Sequence, residues 1–218
     1  MDTTKNSINQ FLEGRKSDER YASFDYCYNY FYSFYKEKKL DELADDKNLH
    51  MSCLQLGFYL ASWGMMRGSS FLLGKSIKYY KKLIVAISKM KPELWDIDVD
   101  NYDAKNIELL LNCKNIIKNS LENKSTDKLI TKIMLGVFAN IPAYDTYFTK
   151  SFKINSFNEK SIQKIKGFYV ENKEIFDSYK IYTIDFLTSK DTNILYTKAK
   201  LIDMYGFING QKEYRKQV

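Results

Sequence analysis

The chain has 218 residues, of which 44% are hydrophobic and 28% are charged, so it can bury a core and its composition excludes a disordered chain. Its formal net charge is +7, and the excess lies after residue 50, because residues 1–50 carry 8 basic and 10 acidic side chains. A basic surface attracts phosphate backbones, so DNA is a candidate partner.

Cysteine and histidine usage limits the chemistry further. Cys27, Cys53 and Cys113 lie far apart, and His50 is the only histidine. This pattern predicts free thiols in a reducing compartment, so we expect a cytoplasmic protein without disulfides, and it offers no zinc ligand set. We therefore expect no metal and no cofactor. No apolar run approaches the roughly 18–20 residues of a transmembrane helix, and the polar N-terminus predicts no signal peptide.

The first strong helical pattern covers residues 17–38 and begins with Ser17-Asp18-Glu19, which is typical of a helix N-terminus. Aromatic side chains then recur at intervals of 3, 4, 3 and 4 residues: Tyr21, Phe24, Tyr28, Phe31 and Tyr35. This stripe predicts a buried aromatic seam, and the alternative is a surface on which bases stack. Asn29, in the same segment, is a candidate hydrogen-bond partner for a base.

An apolar helix is predicted after a charged loop at residues 40–49, and it is broken by the sequence WGMMRGSS. Trp63 could stack on a base, Arg67 could hold a phosphate or a base edge, and Ser69 could line the same pocket. The alternative is a plain helix junction, with Trp63 in the core and a serine as the next cap. Gln55, within the apolar helix, is a further candidate for a base contact.

The rest of the chain also has helical periodicity. Helices are predicted at residues 71–90, 104–121, 128–139, 156–169 and 171–189. Pro92 opens a surface connection, residues 122–127 form a turn, and Ser156 with Glu159 has the spacing of a capping box. The sequence thus predicts an all-α compact bundle of about eight to ten helices. It forms a single domain, 1–218, or two lobes, 1–100 and 101–218, with a cleft between them.

Asp145 lies directly behind a rigid turn, in the stretch KIMLGVFANIPAYDTYF. The residue before Pro142 is forced into extended geometry, which ends the preceding helix. Asp145 can then cap the next helix by accepting backbone N–H groups. A carboxylate at a helix N-terminus also stays ionised and could stabilise a developing cation in a pocket. Tyr144, its neighbour, is a candidate for substrate contact.

This segment, residues 123–148, resembles the helix-hairpin-helix DNA glycosylases. In that superfamily an apolar helix leads through a short Pro-containing turn to a catalytic Asp at the head of the next helix. The matching residues are Lys132 and then Ile141-Pro142-Ala143-Tyr144-Asp145. Two features depart from the family: ENKSTDKL replaces the Gly-x-Gly hairpin, and the four-cysteine cluster of some members is missing, which excludes an iron–sulfur site.

The resemblance implies an enzyme that flips a damaged or modified base out of DNA and cleaves its N-glycosidic bond. It implies that Asp145 stabilises the oxocarbenium-like sugar or activates water. It also implies that Lys128 or Lys132 contacts phosphate or attacks the sugar to form a Schiff base. We expect such an enzyme to bind DNA as a monomer.

Other functions remain open from the sequence. The chain could be a non-catalytic helical protein that binds nucleic acid or protein through its Tyr-rich face. A metal-dependent nuclease or phosphohydrolase ranks last, because Asp96, Asp98 and Asp100 have no obvious partner acids. The stretch 52–73 also resembles uncharacterised bacterial proteins, which implies no activity.

Overall fold

The computed structural model describes residues 3–122 and 125–215, and in these ranges the protein is all-α with one small hairpin. The α-helices are α1 Thr3–Glu13, α2 Ser23–Lys36, α3 Asp46–Ser62, α4 Lys81–Ile87, α5 Ala104–Ser120, α6 Asp127–Phe138, α7 Thr146–Phe152, α8 Glu159–Glu171, α9 Lys173–Ser178 and α10 Lys198–Arg215. The antiparallel strands are β1 Tyr182–Ile184 and β2 Asp191–Leu195. Short 3-10 helices lie at Arg20–Ala22, Leu40–Ala44, Phe71–Gly74, Ile77–Tyr80, Pro92–Trp95 and Val99–Asn101. The predicted fold class is confirmed.

Helix α6 lies at the centre of a buried cluster that extends along the chain from Ile8 to Ile208. All ten of its residues from Leu129 to Phe138 are buried, and α2, α3 and α5 pack around it. Gly136 permits a close approach of α3, because a Cβ at this position would overlap the ring of Tyr59. On the far side of the molecule, α10 packs against α1 and α7.

The start of α10 is capped by a distant loop. The Asp98 carboxylate accepts the backbone N–H groups of Lys198 and Ala199 at 2.7 and 2.8 Å, and also that of Val99 at 2.7 Å. Burial raises the pKa of Asp98 to about 6, although these three N–H groups act in the opposite direction. The Asp98 side chain therefore ties the loop to the start of α10.

Two predicted helices have a different structure. Residues 71–90 form two 3-10 helices and then α4, because Lys75 and Ser76 are extended and interrupt the run. Residues 171–189 were expected to be helical, but α9 ends at Ser178 and the hairpin follows. The Asp185 carboxylate accepts the backbone N–H and the hydroxyl of Thr188, and this closes the hairpin turn.

Three helix starts also differ in detail from the sequence pattern. Helix α2 begins at Ser23, after a 3-10 turn that contains Arg20. The N-cap of α8 is Asn158, which forms a capping box with Ser161, so the predicted pair of Ser156 and Glu159 is wrong. Within the predicted turn 122–127, residues 123 and 124 lie outside the described residues. The turn leads to Thr126, whose hydroxyl caps α6. No helix in the described ranges combines the length and apolar character needed to cross a bilayer.

Candidate functional site

An open cleft of about 1020 Å³ lies where five parts of the chain meet. Its walls come from Arg20, the segment 63–72, the start of α6, the start of α7 and two residues of α10. Six side chains that the sequence singled out border this one cleft: Trp63, Arg67, Ser69, Lys128, Lys132 and Asp145. They lie up to 82 residues apart in the sequence, from Trp63 to Asp145, and the fold brings them together.

A largely buried ion pair forms the floor of the cleft. The Lys132 Nζ atom lies 3.2 Å from Asp145 Oδ2, with side-chain exposures of 4% and 13%. The other carboxylate oxygen, Oδ1, accepts the backbone N–H groups of Tyr147 and Phe148 at 3.0 and 2.9 Å. Asp145 is therefore both the cap of α7 and a charged group at a cleft, because its two oxygens serve different partners.

The backbone that presents Asp145 is itself held from two sides. The Tyr144 N–H donates to Thr131 Oγ1 on α6 at 2.8 Å, and the Ala143 N–H donates to Asp203 Oδ1 on α10 at 3.0 Å. Asp203 is in turn paired with Lys200, whose Nζ lies 2.9 Å from Oδ2. The turn after Pro142 is thus fixed before any ligand binds.

Lys200 is a residue that sequence reasoning did not single out. It is fully buried, and its ammonium lies 4.7 Å from the Phe11 ring centre, 4.5 Å from Phe24 and 5.6 Å from Trp63. A buried lysine needs an anion and polarisable neighbours, which Asp203 and these rings supply. The only local signal was the i, i+3 spacing of Lys200 and Asp203 within a mostly apolar helix.

Trp63 forms the aromatic wall of the cleft. Tyr21 stacks on it with ring centres 5.4 Å apart, and Phe207 meets it edge-on at 5.6 Å. Three cations of the described residues lie over the indole ring: Lys132 at 5.0 Å, Arg20 at 5.3 Å and Lys200 at 5.6 Å. Within the described structure the indole Nε1 is buried and has no hydrogen-bond partner. Positive charge from basic side chains is therefore concentrated around the neutral indole ring.

The mouth of the cleft carries further cations. Arg67 is exposed and folds over Gly64, which has a φ of 74°, and a Cβ there would lie 2.7 Å from Arg67 Nε. Lys128 donates to Thr146 Oγ1 at 2.9 Å. With Arg20 and Lys132, four basic side chains of the described residues line the cleft, and Asp145 supplies the one carboxylate among them. Such a lining attracts an anionic ligand.

The two serines of the segment have different positions. Ser70 caps the 3-10 helix Phe71–Gly74, and its hydroxyl also donates to the carbonyl of Met65 at 2.5 Å. Ser69 is exposed at the cleft and does not cap this helix. The segment 63–72 is thus both a helix junction and a wall of the cleft.

Three other candidate residues do not line this cleft. Asn29 Nδ2 donates to the carbonyl of Ile184 at 2.9 Å and so fastens the hairpin to α2. Gln55 contacts the sulfur of Met51 on the outer side of α3. Tyr144 is buried, its hydroxyl lies 2.9 Å from Ser161 Oγ, and burial raises its pKa.

The aromatic stripe of α2 is mostly internal. Phe24, Tyr28 and Phe31 are buried, whereas Tyr21 and Tyr35 are half-buried. The partly exposed tyrosines that widen the stripe also have internal partners, since the Tyr26 hydroxyl donates to the Ser17 carbonyl and the Tyr30 hydroxyl contacts Ser52. Little of this face is free to bind a partner.

The alternating acids of the Pro92 connection also have separate partners. Asp96 accepts the Tyr35 hydroxyl, Asp98 caps α10, and Asp100 pairs with Lys198. Residues 3–122 and 125–215 bring together no group of three or more His, Cys, Asp or Glu that could hold a metal ion.

No family model matches the chain, and the searches of curated proteins and solved structures found no similar protein. The geometry of the cleft is therefore the structural basis for a functional assignment.

Proposed function

We propose that the protein is a DNA N-glycosylase that excises a damaged or modified base. The observation that supports this most is the buried Lys132–Asp145 ion pair at the floor of a cation-lined cleft. The two residues lie on α6 and at the head of α7, which are the positions that the resemblance implies for the reacting lysine and aspartate.

The cleft suits a flipped nucleotide in size and charge. Its volume of about 1020 Å³ is slightly above the ~300–1000 Å³ typical of small-molecule sites. Arg20, Arg67 and Lys128 at its walls would hold phosphates, and the aromatic wall at Trp63 would contact the base. The energy for unstacking the base is least where it is damaged or mismatched, which provides selectivity.

Bond cleavage then uses the carboxylate of Asp145. As the C1′–N bond breaks, its electron pair leaves with the base and the sugar gains positive charge. Asp145 is held in place by two backbone N–H groups, so it can stabilise this charge without rearranging. A water molecule that attacks C1′ gives its proton to the carboxylate, and the products are the free base and an abasic site.

A lysine can replace the water. In that route Lys132 first loses a proton to Asp145, and its neutral Nζ bonds to C1′ as the base departs. Ring opening then gives a Schiff base, from which the 3′ phosphate can be eliminated. Lys132 suits this role better than Lys128, because its Nζ lies beside Asp145 whereas Lys128 Nζ bonds to Thr146.

A base-release assay tests the proposal. Purified protein is incubated with ordinary, alkylated, oxidised and hypermodified DNA, and abasic sites are counted with and without alkali. We expect abasic sites with at least one of these DNAs and a loss of about 100-fold or more in Asp145→Asn. Covalent trapping with borohydride that is lost in Lys132→Gln but kept in Lys128→Gln would identify the lysine route.

Asp103→Asn is the matched control, because Asp103 caps α5 much as Asp145 caps α7 but lies outside the cleft. Both substitutions remove a negative charge from an N-cap and keep a side-chain oxygen that can accept the backbone N–H groups, so only a chemical role separates the two variants in activity. Absence of abasic sites in every DNA, or equal activity in Asp145→Asn and wild type, would overturn the proposal and leave a binding protein.

A further inference from the structure

Residues 68–92 contain six lysines and no acidic residue. We call these side chains the lysine strip: Lys75, Lys78, Lys81, Lys82, Lys89 and Lys91. All six are exposed, and none forms an ion pair with a carboxylate in the part of the chain that the structure describes. Elsewhere on the surface several lysines pair with acids, for example Lys39 with Glu37.

The fold directs these lysines outward. Helix α4 buries Leu83, Ile84 and Ile87, which leaves Lys81 and Lys82 on its solvent side. The preceding 3-10 helix buries Tyr80 and exposes Lys78. Because like charges repel, an exposed segment with six ammonium groups and no paired carboxylate gains most from an external anion.

The lysine strip begins at the rim of the cleft. Phe71 lines the cleft and meets Tyr79 edge-on, with ring centres 5.9 Å apart. Lys75 Nζ lies 5.0 Å from the centre of the same Tyr79 ring, and the Tyr79 hydroxyl donates to the carbonyl of Leu121 at 3.2 Å. One aromatic ring therefore separates the first lysine of the strip from the cleft wall.

We propose that the lysine strip binds the phosphate backbone of duplex DNA beside the nucleotide that enters the cleft. That the ligand is DNA rests on the proposed function. A polyanion suits it better than a membrane surface does, because the positive lining continues inward through Arg67 and Lys128 to a recessed floor that a flat bilayer would not reach.

The test measures how binding of an ordinary duplex depends on salt, by fluorescence anisotropy with the full chain. The strip variant carries Lys75→Gln, Lys78→Gln and Lys82→Gln. Each phosphate contact contributes about 0.9 to the slope of log K against log salt, so we expect the slope to fall by about 2–3. We also expect affinity at fixed salt to fall about tenfold or more, equally for duplexes of different sequence.

The matched control carries Lys36→Gln, Lys105→Gln and Lys160→Gln, which removes the same charge from exposed positions outside the strip. Its slope should stay within about one of the wild-type slope. An unchanged slope in the strip variant, an equal fall in the control, or failure of the wild type to bind duplex DNA would each overturn the proposal.

Two further measurements separate the possible outcomes. Vesicles rich in phosphatidylserine are offered to the same proteins, and strip-dependent binding to vesicles without strip-dependent binding to DNA would also overturn the proposal. Base release is assayed in parallel. DNA binding that depends on the strip, without base release, would support the proposed role of the lysine strip and contradict the glycosylase proposal. Base release with an unchanged salt slope would support the glycosylase proposal and contradict the role of the lysine strip.

Discussion

The carboxylate of Asp203 accepts the backbone N–H of Ala143 at 3.0 Å, although 60 residues separate the two in sequence. Through this bond α10 fixes the turn that carries Asp145, two residues further on. The same carboxylate holds Lys200, which is buried among aromatic rings. One side chain therefore couples a buried charge, a helix and the floor of the cleft.

Asp203→Ala should lower the free energy of unfolding by about 3–5 kcal/mol, because it leaves the Lys200 ammonium buried without a carboxylate. Adding Lys200→Met should recover part of that loss, since an apolar side chain replaces an unpaired charge. Urea denaturation measures both. Glu42→Ala, which breaks the exposed pair with Lys47, is the control and should cost less than about 1 kcal/mol. Equal losses in the two single variants would contradict the importance of burial here.

Trp63 should report ligand binding directly. The chain has two tryptophans, and Trp95 is 4% exposed and does not line the cleft, so Trp95→Phe leaves Trp63 as the only indole. We expect its emission to be quenched when an oligonucleotide occupies the cleft, because a base would contact the indole. Trp63→Phe, which keeps Trp95, should show no such change. Binding seen by anisotropy without a change in Trp63 emission would show that the ligand lies elsewhere.

Gly136→Ala should destabilise the protein by about 1–3 kcal/mol, because the new Cβ would overlap the Tyr59 ring in the packed core. Gly167→Ala is the matched substitution within α8, where nothing lies within 4 Å of an added Cβ. There the better helix propensity of alanine should stabilise by up to about 1 kcal/mol. Thermal unfolding of both variants gives the comparison, and the same sign for both would argue against the close approach of α3 and α6.

The Asp98 cap should make stability depend on pH. Its folded pKa of about 6 lies above the ordinary 3.8, so the folded protein binds this proton more tightly than the unfolded chain does. The resulting stabilisation is fully present below about pH 4 and is lost as pH rises to about 6.

Urea denaturation across that window measures the unfolding free energies of wild type and of Asp98→Asn. The wild-type value minus the Asp98→Asn value should fall by about 1–3 kcal/mol as pH rises. Asp103→Asn, an exposed cap of α5, serves as the control. A difference that grows with pH would mean that the three N–H groups outweigh burial and keep the carboxylate ionised.

Sequence reasoning did best where the signals are local. Helices α5 and α6 lie within one or two residues of their predicted bounds, because each has a strong apolar period and a clear cap. The cap at Asp145 follows from Pro142 and the helix behind it. Trp63 and Arg67 were singled out because a glycine-flanked break in an apolar helix is visible without the fold.

The failures occur where tertiary contacts decide the structure. The hairpin after α9 has strands of three and five residues, too short for alternation to outweigh a helical period. It is held by contacts with distant residues, such as the bond from Asn29 to Ile184. Arg20 and Lys200 were missed for the same reason, since an arginine in a polar segment and a lysine in a helix usually face solvent.

Helix α6 also sets how long the cleft floor keeps its shape. Ten consecutive residues of α6 are buried, so no side of this part of the helix faces solvent. Its amide protons should therefore exchange with solvent only when the whole protein unfolds. Lys132 belongs to this buried part of α6, so its ammonium group is already in position when a ligand binds. If the cleft changes shape for different ligands, the change should occur in the rim between Gly64 and Ser69, which is partly exposed. Local opening of this rim costs far less free energy than unfolding of α6.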